Sequence, residues 1–76
     1  MTQAEWRDIF ANNLKCILNE KGMNQSDLAR DANLSVSRIS DYVHKIATPS
    51  VFAIINMAYA LDMDVGELID FDERVE

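Results

Sequence analysis

The apolar residues near the start of the chain recur at intervals of three and four, which is the spacing of one face of an α-helix. They are Trp6, Ile9, Phe10, Leu14, Ile17 and Leu18. This spacing predicts an amphipathic helix from Ala4 to Lys21. Gly22 follows directly and can end that helix in the left-handed conformation.

Two shorter helices are predicted next, with a short turn between them. Asn24 can cap a helix over residues 25–32, and Ser35 can cap one over residues 36–44. The inward positions of the first of these helices are Leu28, Ala29 and Ala32. Small inward residues let a second helix cross closely, so residues 25–44 are predicted to form a helix-turn-helix.

The remaining pattern adds two helices and no strand. Residues 45–49 form a loop, since Pro49 biases the residue before it away from helical angles. Ser50 can cap a helix over 51–61, and Asp64 a short helix that reaches about Ile69. The predicted inward stripe of the longer helix is Val51, Ile54, Met57, Ala58 and Leu61. The fold class is therefore all-α, with five helices.

Composition fits one small domain. The chain has 76 residues with only 2 Gly and 1 Pro, which favours helices over turns. We divide it into a helix-turn-helix domain over 1–69 and an acidic C-terminal extension over 70–76. A single cysteine, Cys16, excludes an internal disulfide, and its place within a predicted helix favours a small buried core residue over a nucleophile.

The chemistry of catalysis is missing from the sequence. One His and one Cys do not make a zinc site, and two glycines do not make a phosphate-cradling loop. We therefore predict a protein that is not an enzyme, with no metal, no cofactor and no evident small-molecule ligand. The N-terminus has no secretory pattern, and the longest apolar run, Val51–Ile55, is too short for a membrane span. A cytoplasmic protein without a membrane partner is expected.

Net charge first argues against nucleic acid. The formal charge is −6, whereas DNA binding normally needs a basic surface. The distribution weakens this objection. Residues 1–61 contain six acidic and six basic residues, so the whole excess lies in residues 62–76, with seven acidic residues and one Arg.

The helix-turn-helix pattern resembles a known family. The matching residues are Asn13-Leu14-Lys15, Gly22-Met23-Asn24-Gln25, Leu28-Ala29, Leu34-Ser35, Ile39, Pro49-Ser50, Ala58, Leu61-Asp62-Met63 and Leu68. Over residues 10–69, without a gap, the chain is similar to the Cro/repressor type of helix-turn-helix domain, also called the Xre family. The resemblance implies a compact five-helix, lambda-repressor-like domain that binds DNA in a sequence-specific way. It also implies a transcriptional regulator, a repressor of bacterial or phage origin, that binds a palindromic operator as a dimer.

The chain departs from the family at three places. Family members commonly carry Gly where this chain has Asn33, and often where it has Lys45. Many also hold an internal Arg–Glu ion pair at the positions of Leu18 and Val43, which are both apolar here. Replacement of both partners together avoids an unpaired buried charge. This joint change predicts that Leu18 contacts Val43.

The outer face of the helix at 36–44 is the predicted recognition surface. In the family the start of this helix lies in the major groove. The predicted base-reading residues are Val36, Ser37, Arg38, Ser40 and Asp41. Those predicted to bind phosphates are Gln25, His44, Lys45 and Thr48, of which Gln25 matches a residue that the family uses for this purpose. The alternative interpretation of these residues is an ordinary solvated surface.

The helix at 51–61 has a second apolar stripe. We predict a two-fold homodimer through Phe52, Ile55, Tyr59 and Phe71, which would place two recognition helices about 34 Å apart, one turn of DNA. A larger core that wraps this helix is the alternative. A second function also stays open, because Asp41 on the recognition face and the lack of a basic patch favour a protein-interaction module, such as an antitoxin or antirepressor-like partner binder.

Overall fold

Five α-helices make up the part of the chain that the computed structural model describes, residues 1–69. They are α1 (Gln3–Lys21), α2 (Gln25–Ala32), α3 (Val36–Val43), α4 (Val51–Ala60) and α5 (Val65–Leu68). The predicted all-α class with five helices is confirmed. The predicted ends differ by only one or two residues, because His44, Leu61 and Ile69 are cap residues and not helical ones. Phe71 and the rest of the acidic extension lie outside the described residues.

Short polar side chains cap the N-termini of the first four helices, and the sequence predicts three of these caps. Asn24, Ser35 and Ser50 each accept a hydrogen bond from the backbone N–H three residues on, at 2.8 to 3.1 Å. Thr2 does the same for α1. These bonds satisfy backbone donors that the first turn of a helix leaves free.

Four helices end in the same left-handed turn, although only one of them ends in glycine. The residues with positive φ are Gly22 (67°), Asn33 (58°), Lys45 (65°) and Asp62 (56°). After each of them, the next backbone N–H bonds back to a carbonyl five residues earlier, at 2.8 to 3.0 Å. This pair of features is the Schellman motif, which satisfies the free carbonyls of a helix end. The expected left-handed ends at Gly22 and Asn33 are confirmed.

Lys45→Gly is expected to stabilise the protein by about 0.5–1 kcal/mol. A side chain in the left-handed region costs about 1–2 kcal/mol, and the greater freedom of glycine in the unfolded chain offsets about 0.4–1 kcal/mol of that gain. Urea unfolding should therefore show a higher midpoint. Lys15→Gly, at an exposed position inside α1, is the matched control and should lower stability by about 1 kcal/mol. A Lys45→Gly protein less stable than the wild type would contradict this account.

The core is apolar throughout the described residues, with no polar or charged side chain among the buried ones. Leu18 and Val43 belong to one buried cluster, and α1 packs against α3. Their direct contact stays a prediction. Helix α2 packs against both α3 and α4, so the contact between α2 and α4 joins the helix-turn-helix to the rest of the domain.

Two core predictions are wrong. Val51 was expected on the inward stripe of α4, but it is 72% exposed, and the buried residues of this helix are Ala53, Ile54, Met57 and Ala58. Cys16 was expected to be buried, but it is exposed. The buried positions of α1 form a narrow stripe at Phe10, Ala11, Leu14 and Leu18, and Cys16 lies outside it. None of the described helices is long and apolar enough to cross a membrane.

Candidate nucleic-acid interface

Helix α3 has one buried face and one open face. Ile39, Tyr42 and Val43 are buried in the core. Among the predicted base-reading residues, Val36, Ser37 and Arg38 are exposed, while Ser40 and Asp41 are half-buried. The side of the helix predicted to read DNA is therefore free of the core, as the 100° step between helical residues requires.

The arginines of the helix-turn-helix differ in their partners. Arg30 on α2 forms ion pairs with Asp27 at 3.5 Å and with Asp31 at 3.1 Å. Arg38 on α3 forms no ion pair with any of the described residues, even though Asp41 is one turn away. Its guanidinium is thus available for a ligand, and guanidinium groups bind guanine edges and phosphates in two-pronged geometry.

Asp41 holds the end of α3 together through its backbone. Its carbonyl oxygen accepts hydrogen bonds from the N–H of Ile46, at 2.8 Å, and of Ala47, at 3.3 Å. The loop after α3 is consequently folded back over the last turn of the helix. The Asp41 carboxylate makes no ion pair within the described part of the chain, so its oxygens can accept from a ligand.

A cleft of about 340 Å³ lies between α3 and the start of α4. Its lining residues are Arg38, Asp41, Tyr42, Ala47, Thr48 and Ser50. Burial raises the pKa of the Tyr42 phenol above its ordinary value, while nearby Arg38 lowers that pKa and Asp41 raises it. The phenol therefore stays protonated at neutral pH. Thr48, a predicted phosphate-binding residue, lines the same cleft as Arg38.

The start of α2 has free backbone donors. Asn24 accepts from the N–H of Asp27 at 2.8 Å, and the Asp27 carboxylate accepts from the N–H of Asn24 at 3.2 Å. No described group accepts from the N–H groups of Gln25 and Ser26. Such donors at a helix N-terminus bind anionic oxygens.

His44 is held by the turn of α3 that precedes it. Its Nδ1 lies 2.8 Å from the carbonyl oxygen of Ser40 and 3.2 Å from the Ser40 hydroxyl. A carbonyl oxygen only accepts, so Nδ1 carries the proton of this bond. The remaining nitrogen, Nε2, accepts a hydrogen bond when the ring is neutral and donates one when the ring is protonated.

The described residues predicted for the dimer lie on a different helix from the recognition residues. Phe52 is 67% exposed, Ile55 48% and Tyr59 90%, all on α4. The alternative of a larger core that covers this stripe is therefore wrong for the described residues. Val51, at helical spacing from Ile55, extends the stripe, and we call Val51, Phe52, Ile55 and Tyr59 the α4 patch.

Sequence reasoning also missed the exposed apolar residue that lies nearest to the predicted recognition residues. Ile46, in the loop after α3, is 67% exposed. No periodicity in the sequence points to it, because it lies between two helices. Its position next to Lys45 was the only available signal.

The sequence that forms the capped α2, the left-handed turn at Asn33 and the open face of α3 matches a known family. The family of Cro/C1-type HTH DNA-binding domains matches residues 13–74. The chain belongs to this family. The match spans residues 13–21 of α1 and all of α2, α3, α4 and α5. No curated protein matches the chain.

Membership in the Cro/C1-type family supports DNA as the partner of this domain. It also identifies α2 and α3 as the two helices of the helix-turn-helix, of which α3 has the open face. The acidic total charge is compatible with this membership, since its excess lies in residues 62–76.

Proposed function

We propose that this protein is a sequence-specific DNA-binding transcriptional regulator, a repressor that acts in the cytoplasm of a bacterium. Helix α3 enters the major groove of a palindromic operator. The observation that carries this proposal is the open face of α3 within a Cro/C1-type domain, together with an Arg38 that has no described ion-pair partner. Arg30 on α2, by contrast, is paired with Asp27 and Asp31.

Each residue on the α3 face has a chemistry suited to base edges. Arg38 donates to guanine O6 and N7, and Asp41 accepts from the amino group of cytosine. Val36 contacts a thymine methyl group, and Ser37 and Ser40 donate or accept. The half-buried position of Asp41 favours a specific base partner, because an unpaired carboxylate near phosphates is repelled.

Phosphate contacts on both sides of α3 set the register on DNA. Gln25 and the free N–H groups at the start of α2 bind one phosphate. A second phosphate is bound from the end of α3 and the loop that follows, by His44, Lys45 and Thr48. When His44 contacts a phosphate, its ring is protonated and Nε2 donates the hydrogen bond. The small number of cations predicts modest affinity for each monomer, with binding that weakens as salt is raised.

Two copies associate through the α4 patch, with Phe71 of the C-terminal extension. The side chains of the α4 patch form a cluster of exposed apolar residues, and a clustered apolar surface usually marks an interface. A two-fold axis at this patch matches the symmetry of a palindromic operator.

Ile55→Asp is expected to convert the dimer into a monomer. A carboxylate at the centre of an apolar interface loses its hydration without gaining a partner. Sedimentation should give the monomer mass of the 8.6 kDa chain at concentrations where the wild type is dimeric. Cys16→Asp adds the same charge on an exposed part of α1 and is the control. A dimer that survives Ile55→Asp would refute this surface.

A protein-interaction module is the second candidate. A cleft of about 560 Å³ beside Tyr59 is lined by three acidic residues, Asp62, Asp64 and Glu67, and by no basic one. This surface suits a basic segment of a partner protein better than it suits DNA. An antitoxin or antirepressor-like regulator would use it.

Selection from a random pool of duplex DNA separates the two functions. The proposed regulator enriches a palindrome, and its half-sites should be separated by about one helical turn. Enrichment of no sequence at low or moderate salt would sink the DNA-binding proposal and favour the protein-interaction module. The same selection supplies the operator for the measurements below.

A further inference from the structure

Ile46 is the exception among the four residues that close the Schellman turns. The residues after the left-handed positions are Met23, Leu34, Ile46 and Met63. Met23, Leu34 and Met63 are partly buried against the core. Ile46 is 67% exposed.

The reason lies in the residue to which each closing N–H bonds. In α1, α2 and α4 the acceptor carbonyls belong to buried apolar residues, Leu18, Ala29 and Ala58. In such a turn the closing apolar side chain normally packs against that residue. In α3 the acceptor belongs to Asp41, at 2.8 Å from the Ile46 nitrogen. The turn therefore gives Ile46 no apolar partner, and its exposed side chain adds nothing to the core.

Ile46 is instead fixed within one turn of a proposed base-reading residue. We propose that Ile46 contacts the C5-methyl group of a thymine in the major groove, beside the base pair that Asp41 reads; this inference rests on the proposed function. Thymine is the one base that presents a methyl group there. Unlike Lys45 and Thr48, which are proposed to bind phosphates, Ile46 has no side-chain donor for a phosphate, so the methyl group of a base suits it better than the DNA backbone.

The two residues together predict a local sequence preference. Asp41 accepts from the amino group of a cytosine, and Ile46 covers the methyl group of a thymine. The operator should thus carry a cytosine with a thymine close to it in each half-site, at the position under the end of α3.

Uracil substitution tests the contact, because it removes only the methyl group of one thymine. Each thymine of the selected operator is replaced in turn, and the dissociation constant is measured for the wild type and for Ile46→Ala. One replacement should weaken wild-type binding about fourfold, the effect of burying one methyl group. The same replacement should leave the affinity of Ile46→Ala unchanged.

Val65→Ala is the matched control, since it shortens an exposed apolar residue of α5 that is outside the proposed DNA contacts and should keep the sensitivity to that uracil. An Ile46→Ala protein that loses affinity equally for all DNA would indicate a contact with the sugar backbone and overturn the inference. The inference would also be overturned if every uracil replacement weakened the wild type and Ile46→Ala by the same factor. In these cases the wild type still selects an operator, so the proposed function stands. If the wild type selects none, the proposed function fails and this inference fails with it.

Discussion

Leu18→Arg is expected to destabilise the folded protein by about 3–5 kcal/mol, the cost of a buried charge without a partner. Leu18 is only 6% exposed, and no polar or charged side chain of residues 1–69 is buried beside it. Domains of this size are only marginally stable, so a large part of the protein would be unfolded at 25 °C. Urea unfolding followed by circular dichroism measures the loss.

The second substitution Val43→Glu should restore much of that stability. In the family to which the chain belongs, many members carry an Arg–Glu pair at these two positions, and Val43 lies in the same buried cluster as Leu18. Leu18→Met, which conserves volume, is the control and should cost less than about 1.5 kcal/mol. If Leu18→Arg proved harmless, or if the double variant were no more stable than Leu18→Arg, the predicted contact between Leu18 and Val43 would be wrong.

Arg38→Ala is expected to weaken binding to the selected operator by about 10- to 100-fold. A good Arg contact with a guanine edge is worth about 1–3 kcal/mol of discrimination. Because Arg38 has no ion pair in the described part of the chain, its removal should leave the stability of the protein unchanged within about 0.5 kcal/mol. Gel shifts against the operator and against a scrambled duplex measure the loss, and the loss should be larger on the operator.

Gln25→Ala and Arg30→Ala complete that experiment. Gln25→Ala should weaken binding to both duplexes by a similar factor, because a phosphate contact does not depend on the base sequence. Arg30→Ala removes an arginine that is already paired with Asp27 and Asp31, so it should change operator affinity little. Binding that survives both Arg38→Ala and Gln25→Ala unchanged would refute the α3 interface.

The structure also shows where the acidic residues lie relative to α3. Three acidic residues from the end of the chain, Asp62, Asp64 and Glu67, line one cleft beside the α4 patch, on elements other than α3. The proposed recognition surface contains Arg38, Lys45 and His44 against Asp41. The sum of charges over the chain therefore says little about the surface that meets DNA.

Local chemistry was sufficient to predict most of the fold. Spacings of three and four identified the helices, and Asn24, Ser35 and Ser50 marked the starts of three of them, because a capping side chain acts within one turn. Gly22 and Asn33 marked two ends for the same local reason. The angular step between helical residues also separated the open face of α3 from Ile39, Tyr42 and Val43.

Tertiary packing decided which apolar residues are buried, because the spacing of apolar residues along the chain does not determine this. Val51 fits an inward stripe by spacing, yet it is exposed, because which stripe of an all-apolar helix is covered depends on where α2 and α5 pack against α4. Cys16 is exposed for a similar reason, since the other helices cover only a narrow stripe of α1. Only the folded chain shows that Arg30 is paired whereas Arg38 has no ion pair among residues 1–69, and that the backbone N–H of Ile46 bonds to the carbonyl of Asp41. The sequence by itself thus determined the helices and the family of this protein, because both depend on interactions within a turn or on a pattern along the chain. Which apolar and charged side chains stay free for a partner depends on distances between helices, and only the tertiary structure decided that.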